Sequence, residues 1–423
     1  MVIAQDHDIV LAGDSRRVVG RLFLHGETLA PRRSRAEIIA DRVRALPDET
    51  AESIREQLIE AFSDRHHDLT ALVTANAEVA LARAGETMSP DAPHFFLLGA
   101  VFTSEYAVEG AALCNPSAVA DIDQSGVPAG QLRVIVSLRQ IGEGHVSSVG
   151  FARAIVGPGR TWAFEERHSP LGTPRTTAIP DTWFAYDAVF DPAIPLSARV
   201  IMPVLEEEIN GIEDARMVRF IDDDGSEHYR ITYTAFDGRA IAPRILISRD
   251  LVSFQSHRLT GSAATHKGIA PFPRRIGGEL YALVRSDGET NALAHSPDGL
   301  AWGREVAIRG PQHVWDLVQS GNCGSPIETP QGWLVLTHGV GPMRTYALGA
   351  VLLDLDDPTR VVGILDEPLL ESLIEDSTGY VPHVIYSCGG LIHDGIVWVP
   401  YGIEDKRVRV ASIAFDELLA AMH

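Results

Sequence analysis

Ile247-Ser248-Arg249-Asp250-Leu251-Val252-Ser253-Phe254 and His295-Ser296-Pro297-Asp298-Gly299-Leu300-Ala301-Trp302 share the form Ser-x-Asp-x-x-x-aromatic, 48 residues apart (296 − 248). A four-stranded blade of a radially repeated β-fold takes about that much chain. Short apolar runs surround the two copies: Leu132–Leu138, Tyr229–Tyr233, Leu280–Val284, Trp333–Leu336 and Val397–Val399. Gly, Pro, Asp and Asn clusters separate them, as turns separate brief strands. No Gly-x-Gly-x-x-Gly opens a helix here. From about residue 95 to 415 the pattern predicts a β-propeller, and roughly 320 residues would hold five or six blades. A pair of β-sandwiches is the alternative on texture alone. Asp416–Met422 reads as a short terminal helix.

Upstream the period changes. Ser34-Arg35-Ala36-Glu37 has capping-box spacing and opens a helix carrying Ile38, Ile39 and Val43, which Pro47 ends. A second helix places Ile54, Leu58, Ile59 and Phe62 on one stripe, and a third runs from about Asp68 to Ala84. Met88–Pro93 reads as a linker. The expected division is an N-terminal segment with a helical module at 1–94 and the β-domain at 95–423.

Net charge is −21, from 36 basic and 57 acidic residues. Such a surface repels phosphodiester backbones and anionic membranes, so neither nucleic acid nor membrane is an expected partner. No apolar run approaches the roughly 18 residues of a membrane span. Cys114, Cys323 and Cys388 lack metal-ligand spacing and suit a reducing compartment. The start, MVIAQDHDIVLAGDSRR, has no basic region followed by an apolar one, so a cytoplasmic location is expected. No His-Glu-x-x-His or similar pattern occurs, so neither metal nor cofactor is expected. The amphipathic helices make a homo-oligomer the expected assembly.

One hexapeptide comes twice: Gly-Ile-Glu-Asp-Ala-Arg at Gly211–Arg216 and Gly-Ile-Glu-Asp-Lys-Arg at Gly402–Arg407, 191 positions apart (402 − 211). A glycine turn that delivers adjacent carboxylates beside a cation suits acid–base work on a hydroxyl-rich substrate. Further polar clusters fall at strand ends. They are Cys114-Asn115-Pro116-Ser117, then Ser137-Leu138-Arg139 with Gly142-Glu143-Gly144-His145, then His266-Lys267-Gly268 with Arg285, and Gly321–Thr329 leading to His338-Gly339-Val340. In a propeller, such ends surround one central pocket.

The order GIED-x-R, ITYTA (Ile231–Ala235), PIET-x-x-GWL-x-x-x-HGV (Pro326–Val340), GAVLLDLDDP (Gly349–Pro358) and Tyr401–Asp405 resembles the family 130 glycoside hydrolases. The resemblance covers about residues 95–415 and implies a five-bladed β-propeller. The helical module and the SLR-x-x-GEGH-x-SS motif resemble a longer subgroup. The implied activity is inverting phosphorolysis of β-mannosides, with β-1,2-linked manno-oligosaccharide and inorganic phosphate as substrates and α-mannose 1-phosphate as product. Asp214 matches the general acid, working through a sugar hydroxyl. Asn115, Arg139 and Asp405 match mannosyl-binding positions, joined by Glu213, Glu143 and His145 as candidate substrate-binding residues. Arg285 and His338 match phosphate ligands, and Lys267 stands at a further one. Three positions depart from the family pattern: Ala215 replaces a usual Pro, Gly268 a usual Asp, and Gln319 a usual Lys.

Glu213 is the neighbour expected to raise the pKa of Asp214. Taken alone, Arg285 and Lys267 read more readily as surface or ion-paired groups than as ligands, and Glu143 and His145 more readily as loop formers. Two other functions stay open. An inverting β-mannosidase would need Glu143 or Glu404 as base, about 6.5–9.5 Å from the acid. A non-catalytic sugar-binding propeller would keep the pocket without turnover.

Overall fold

The two Ser-x-Asp stretches form the same turn. Ser248 Oγ accepts from the Leu251 amide at 2.8 Å, and the Asp250 carboxylate accepts from Val252 and Ser253, both at 2.8 Å. In the second copy Ser296 Oγ accepts from Gly299 at 2.8 Å, and Asp298 accepts from Leu300 and Ala301, both at 2.9 Å. The residue after each aspartate is left-handed, with φ of 55° at Leu251 and 79° at Gly299. Each turn joins the third strand of a sheet to its fourth, and the closing aromatic, Phe254 or Trp302, is buried. Asp354 caps the Asp356 and Asp357 amides at the matching place in another sheet.

The computed structural model describes residues 4–24, 34–180, 182, 184–372, 379 and 381–423. Five antiparallel sheets follow one another along the chain. Blade 1 holds Ala112–Ala120, Leu132–Ile141, Ser147–Gly157 and Thr161–Phe164 from its inner to its outer strand. Blade 2 holds Ile212–Ile221, Glu227–Phe236, Ile241–Ser248 and Ser253–Arg258, extended by Tyr186–Val189 and Arg175–Ala178. Blade 3 holds Ala270–Pro271, Leu280–Val284, Asn291–Ser296 and Gly303–Arg309. Blade 4 is built on Gln319–Asn322, Gly332–Val340, Tyr346–Leu353 and Val361–Ile364. Blade 5 takes Ile385–Tyr386, Ile396–Ile403 and Arg407–Ala414, and its outer strand is Gln5–Ala12, paired antiparallel with Gln5 opposite Ser412.

The period-2 alternation of side chains makes these sheets a ring. Ile135 packs with Met217 and Ile231 of blade 2, whereas its neighbours Val134 and Val136 pack with Trp398 and Val408 of blade 5. Ile245 of blade 2 meets Leu280 and Ala282 of blade 3. Trp333 and Val335 face blade 3, while Leu334 and Leu336 face Val397 and Val399 of blade 5. Each adjacent pair of blades, including the fifth and the first, thus shares an apolar core. The domain is a five-bladed β-propeller. Trp302 and Trp333, at 1% and 0% exposure, belong to those cores.

Ser15–Val108 and His168–Gly172 form a separate helical unit. Its first helix, α1 (Arg35–Arg44), carries the capping box at Ser34 and Glu37. Helices α2 (Asp48–Phe62) and α3 (Leu69–Ala84, capped by Asp68) follow as read from the pattern. A fourth, α4 (Pro93–Val101), has no polar face: His94 to Gly99 are all buried, so no amphipathic period announces it. The unit therefore runs to Val108, past the 94/95 boundary, and the strand Gln5–Ala12 belongs to the propeller. The chain ends in α5 (Phe415–Ala421). No helix among the described residues is long and apolar enough to cross a membrane.

Asp298→Ala removes a charged acceptor from two amides, so it is expected to lower stability by about 2 kcal/mol. Urea unfolding of the variant measures this, and an unchanged midpoint would show that the turn contributes nothing.

Candidate active site

The inner strands of blades 1 and 2 each break register once, between Cys114 and Ser117 and between Glu213 and Arg216. In each break one non-glycine residue turns left-handed, Asn115 with φ 47° and Asp214 with φ 53°. Bulges re-aim side chains, and these two meet: Asn115 Nδ2 donates to Asp214 Oδ1 at 2.7 Å.

The second copy of the hexapeptide does something different. Gly402 and Ile403 end the second strand of blade 5, and Glu404-Asp405 are the central residues of a tight hairpin, with φ of 55° and 49°. Lys406 donates its amide to the Ile403 carbonyl at 3.0 Å. That turn is normally left to Asn-Gly or Asp-Gly. The repeated glycines have a common cause: a Cβ on Gly211 would stand 2.7 Å from the Ser147 amide, and one on Gly402 2.8 Å from the Asn115 amide. Both copies abut blade 1, from its two sides.

Charge is concentrated between them. Arg139, on the second strand of blade 1, donates to Glu213 at 2.7 Å and lies 3.3 Å from Asp214 Oδ1. Lys267 Nζ takes the other Glu213 oxygen at 2.7 Å. Arg216 is buried and donates to the Asp214 carbonyl, the Cys323 carbonyl and Tyr386 Oη, each at 2.9 Å. Arg285, following the second strand of blade 3, reaches His338 Nε2 of blade 4 at 3.0 Å. Burial first, then the charges of Arg285 and Arg216, push the His338 pKa well below its usual value, so the ring is neutral and its Nε2 accepts.

Apart from Arg216 and Glu213, these groups line one cavity of about 290 Å³ to which every blade contributes. Blade 1 gives Asn115 and Arg139, and blade 2 gives Asp214. Blade 3 gives His266, Lys267 and Arg285. Blade 4 gives Gln319, His338, Arg344 and Tyr346, and blade 5 gives Val384, Tyr386 and Asp405. In a chain of net charge −21, four cationic side chains here meet two carboxylates. Arg285 Nε and Asn115 Oδ1 are buried without a hydrogen-bond partner, as a site built for a polar ligand would leave them. Among the described residues no cluster of His, Cys, Asp or Glu could hold a metal ion.

Seven of the candidate site residues therefore share the wall, Asn115, Arg139, Asp214, Lys267, Arg285, His338 and Asp405, together with His266 and Gln319 of the quoted motifs. Glu213 stands behind it, spent on Arg139 and Lys267. Glu143 and His145 are not brought in; they are exposed on the hairpin that follows the second strand of blade 1. Glu404 is buried and does not line the cavity. Arg344, Tyr346, Val384 and Tyr386 went unread. Gly341–Thr345 repeats the hairpin of Gly142–Val146, including the left-handed pair Met343-Arg344 in place of Gly144-His145, a likeness visible in the backbone and not in the sequence.

The expectation that Glu213 raises the Asp214 pKa is overturned. Burial does push the Asp214 carboxyl up, but Arg139, Arg216, Lys267 and the Asn115 hydrogen bond together hold it at about 2. Asp405 goes the other way: burial raises it, and the nearby Asp214 charge adds to that against the pull of Arg139.

A family model described as β-1,4-mannooligosaccharide phosphorylase matches residues 193–423, more than half of the chain. The chain belongs to glycoside hydrolase family 130. Among family 130 relatives, a 1,2-β-oligomannan phosphorylase from Thermoanaerobacter sp. (strain X514) is 33% identical over 218 residues, which are 50% of this chain and 71% of that protein. The solved β-1,2-mannobiose phosphorylase of Listeria innocua, in complex with β-1,2-mannobiose, is 20% identical with a TM-score of 0.52 over 75% of this chain and 92% of that one. Another solved family 130 structure comes from work on hydrolases that target β-1,2-mannosidic linkages in Candida mannan. It is 20% identical with a TM-score of 0.51, over 73% of this chain and 86% of that one. These likenesses carry the fold.

The electrostatics of the family 130 pocket can be read by NMR of protein labelled at its aspartate carboxyls. The resonance absent from Asp405→Asn is expected to titrate above the ordinary aspartate value of about 3.9. The one absent from Asp214→Asn should stay ionised down to about pH 2. The opposite order would overturn the assignment of the two environments.

Proposed function

We propose that this protein is an inverting phosphorylase of β-1,2-linked manno-oligosaccharides that releases α-mannose 1-phosphate in the cytoplasm, with no cofactor. One observation carries the reading: the cavity joins a carboxylate pair from blades 2 and 5 to cationic and imidazole groups from blades 3 and 4, Lys267, Arg285 and His338. Neither Glu143 nor Glu404, the candidate bases of a hydrolase, is on its wall. The β-1,2 linkage comes from the named relatives.

Asn115, Arg139 and Asp405 hold the mannosyl unit, and Asp214 is the acid. Arg285 offers a planar fork to phosphate oxygens, and His338 a further polar contact. A phosphate oxygen bonds to C1 from the face opposite the departing group, and the glycosidic C–O bond breaks. Asp214 gives its proton to a sugar hydroxyl, which passes its own to the glycosidic oxygen. The proton lost from monohydrogen phosphate balances the one gained by the released sugar. With the pocket empty, Asp214 is ionised, so it must be loaded with substrate present. A phosphate dianion beside Arg285 opposes the pull of Arg139 and Arg216 and raises the Asp214 pKa toward that state.

Incubation with β-1,2-mannobiose should yield mannose 1-phosphate only when phosphate is present. Equal release of free mannose without phosphate would make the protein a hydrolase, and binding without turnover would make it a sugar-binding propeller. Asp214→Asn should lower kcat by roughly a thousandfold while mannobiose binding, followed by calorimetry, persists. Near-normal turnover would remove Asp214 from the acid role.

A further inference from the structure

Of the cations that reach the cavity, most are already committed. Arg139 and Lys267 are paired to Glu213, and Arg285 is held by His338. Arg344 is the exception. It lines the cavity, its residue is exposed, and it makes no hydrogen bond or ion pair among the described residues, although its charge reaches Asp405 and pulls that carboxyl down. Its backbone is left-handed at φ 58°, beside Met343 at 57°. Two adjacent non-glycine residues in that region are costly, and such strain persists where the surrounding structure imposes it, often at ligand sites.

The hairpin's place in the ring gives the side chain its direction of use. Gly341–Thr345 links the second and third strands of blade 4, on which His338 and Tyr346 stand with their rings near parallel at 6.5 Å. Arg344 precedes Tyr346 by two residues, and Gln319, the blade 4 inner-strand residue on the same wall, is neutral. The mannosyl-side candidates come from blades 1, 2 and 5. Blade 4 therefore contributes one cation to the wall, the exposed Arg344, outside the buried and neutral His338 that holds Arg285. Around them the protein is strongly acidic, and a phosphate dianion approaching a surface of net charge −21 is repelled until a local positive field takes over.

Building on the phosphorolytic reading, we propose that Arg344 is a phosphate-capture residue. It engages inorganic phosphate at the cavity rim, hands it to Arg285 and His338, and takes up the sugar phosphate again as it leaves. The guanidinium forms no covalent bond and carries no proton in the reaction; its contribution is to binding.

The test is steady-state kinetics with β-1,2-mannobiose and phosphate, varying each in turn, for wild type, Arg344→Gln and Arg344→Lys. Arg344→Gln should raise the phosphate KM about tenfold, the loss of one charge-assisted contact, with the mannobiose KM within about twofold. In the synthetic direction it should raise the KM for α-mannose 1-phosphate by a similar factor. Arg344→Lys should recover much of the loss, and added potassium chloride should weaken phosphate use more in wild type than in Arg344→Gln. An unchanged phosphate KM, or a mannobiose KM that rises as much or more, would overturn the assignment. Phosphate-independent release of mannose by wild type would be a different failure, that of the reading on which this one rests.

Discussion

The structure turns on one buried cation. Arg216 is 1% exposed and donates to three oxygens, the carbonyls of Asp214 and Cys323 and the hydroxyl of Tyr386. A guanidinium so far from water is tolerable only if its donors are satisfied and a counter-charge is near. Here the counter-charge is the Asp214 carboxylate, and the three oxygens belong to blades 2, 4 and 5. The same contact that neutralises a costly charge therefore fixes the distance between the walls of the cavity. Arg139 repeats the arrangement from blade 1, bridging Glu213 and Asp214. Folding the ring and building the pocket become one event, because neither arginine has adequate partners until neighbouring blades have closed on it.

That interdependence marks how far the sequence could be read. Strand existence was legible, since each blade repeats a local pattern and the Ser-x-Asp turn is a self-contained set of hydrogen bonds. Trp302 and Trp333 were legible as core for the same reason. Helix α4 was not, because a segment buried on all sides has no period to detect. Asn115, Arg139, Asp214, Lys267, Arg285, His338 and Asp405 stood in ordered motifs and were found, whereas Tyr346 and Tyr386 sit in ordinary strand sequence, with Val384 just before a strand, and become pocket residues only through the ring. Glu143 and His145 differ again: their glycine-flanked polar turn is an exposed hairpin off the cavity wall. The protonation of Asp214 was misjudged because its neighbour along the chain, Glu213, mattered less than cations approaching from other blades.

Backbone strain follows the chemistry. Asn115, Asp214 and Asp405 all have positive φ without being glycine, as does Arg344 on the same wall. Each such residue costs on the order of 1 kcal/mol or more. The cores between the blades supply the rigidity that holds four of them around one cavity. Relaxing any of them would turn the side chain out of the cluster it now shares, so rigidity of the ring and aim of the polar groups are the same property.

The outer strand of blade 5 has a consequence in time. Gln5 pairs with Ser412, a contact spanning 407 positions (412 − 5), and residues 15–108 separate that strand from blade 1 along the sequence. During synthesis the strand Gln5–Ala12 must wait, unpartnered, until Arg407–Ala414 has been made. Contacts of such sequence separation are slow to form and leave strand edges open meanwhile. Ring closure must therefore follow synthesis of Arg407–Ala414. Removing Gln5–Ala12 to isolate the propeller would take away the outer strand of blade 5 and leave the edge of Arg407–Ala414 open.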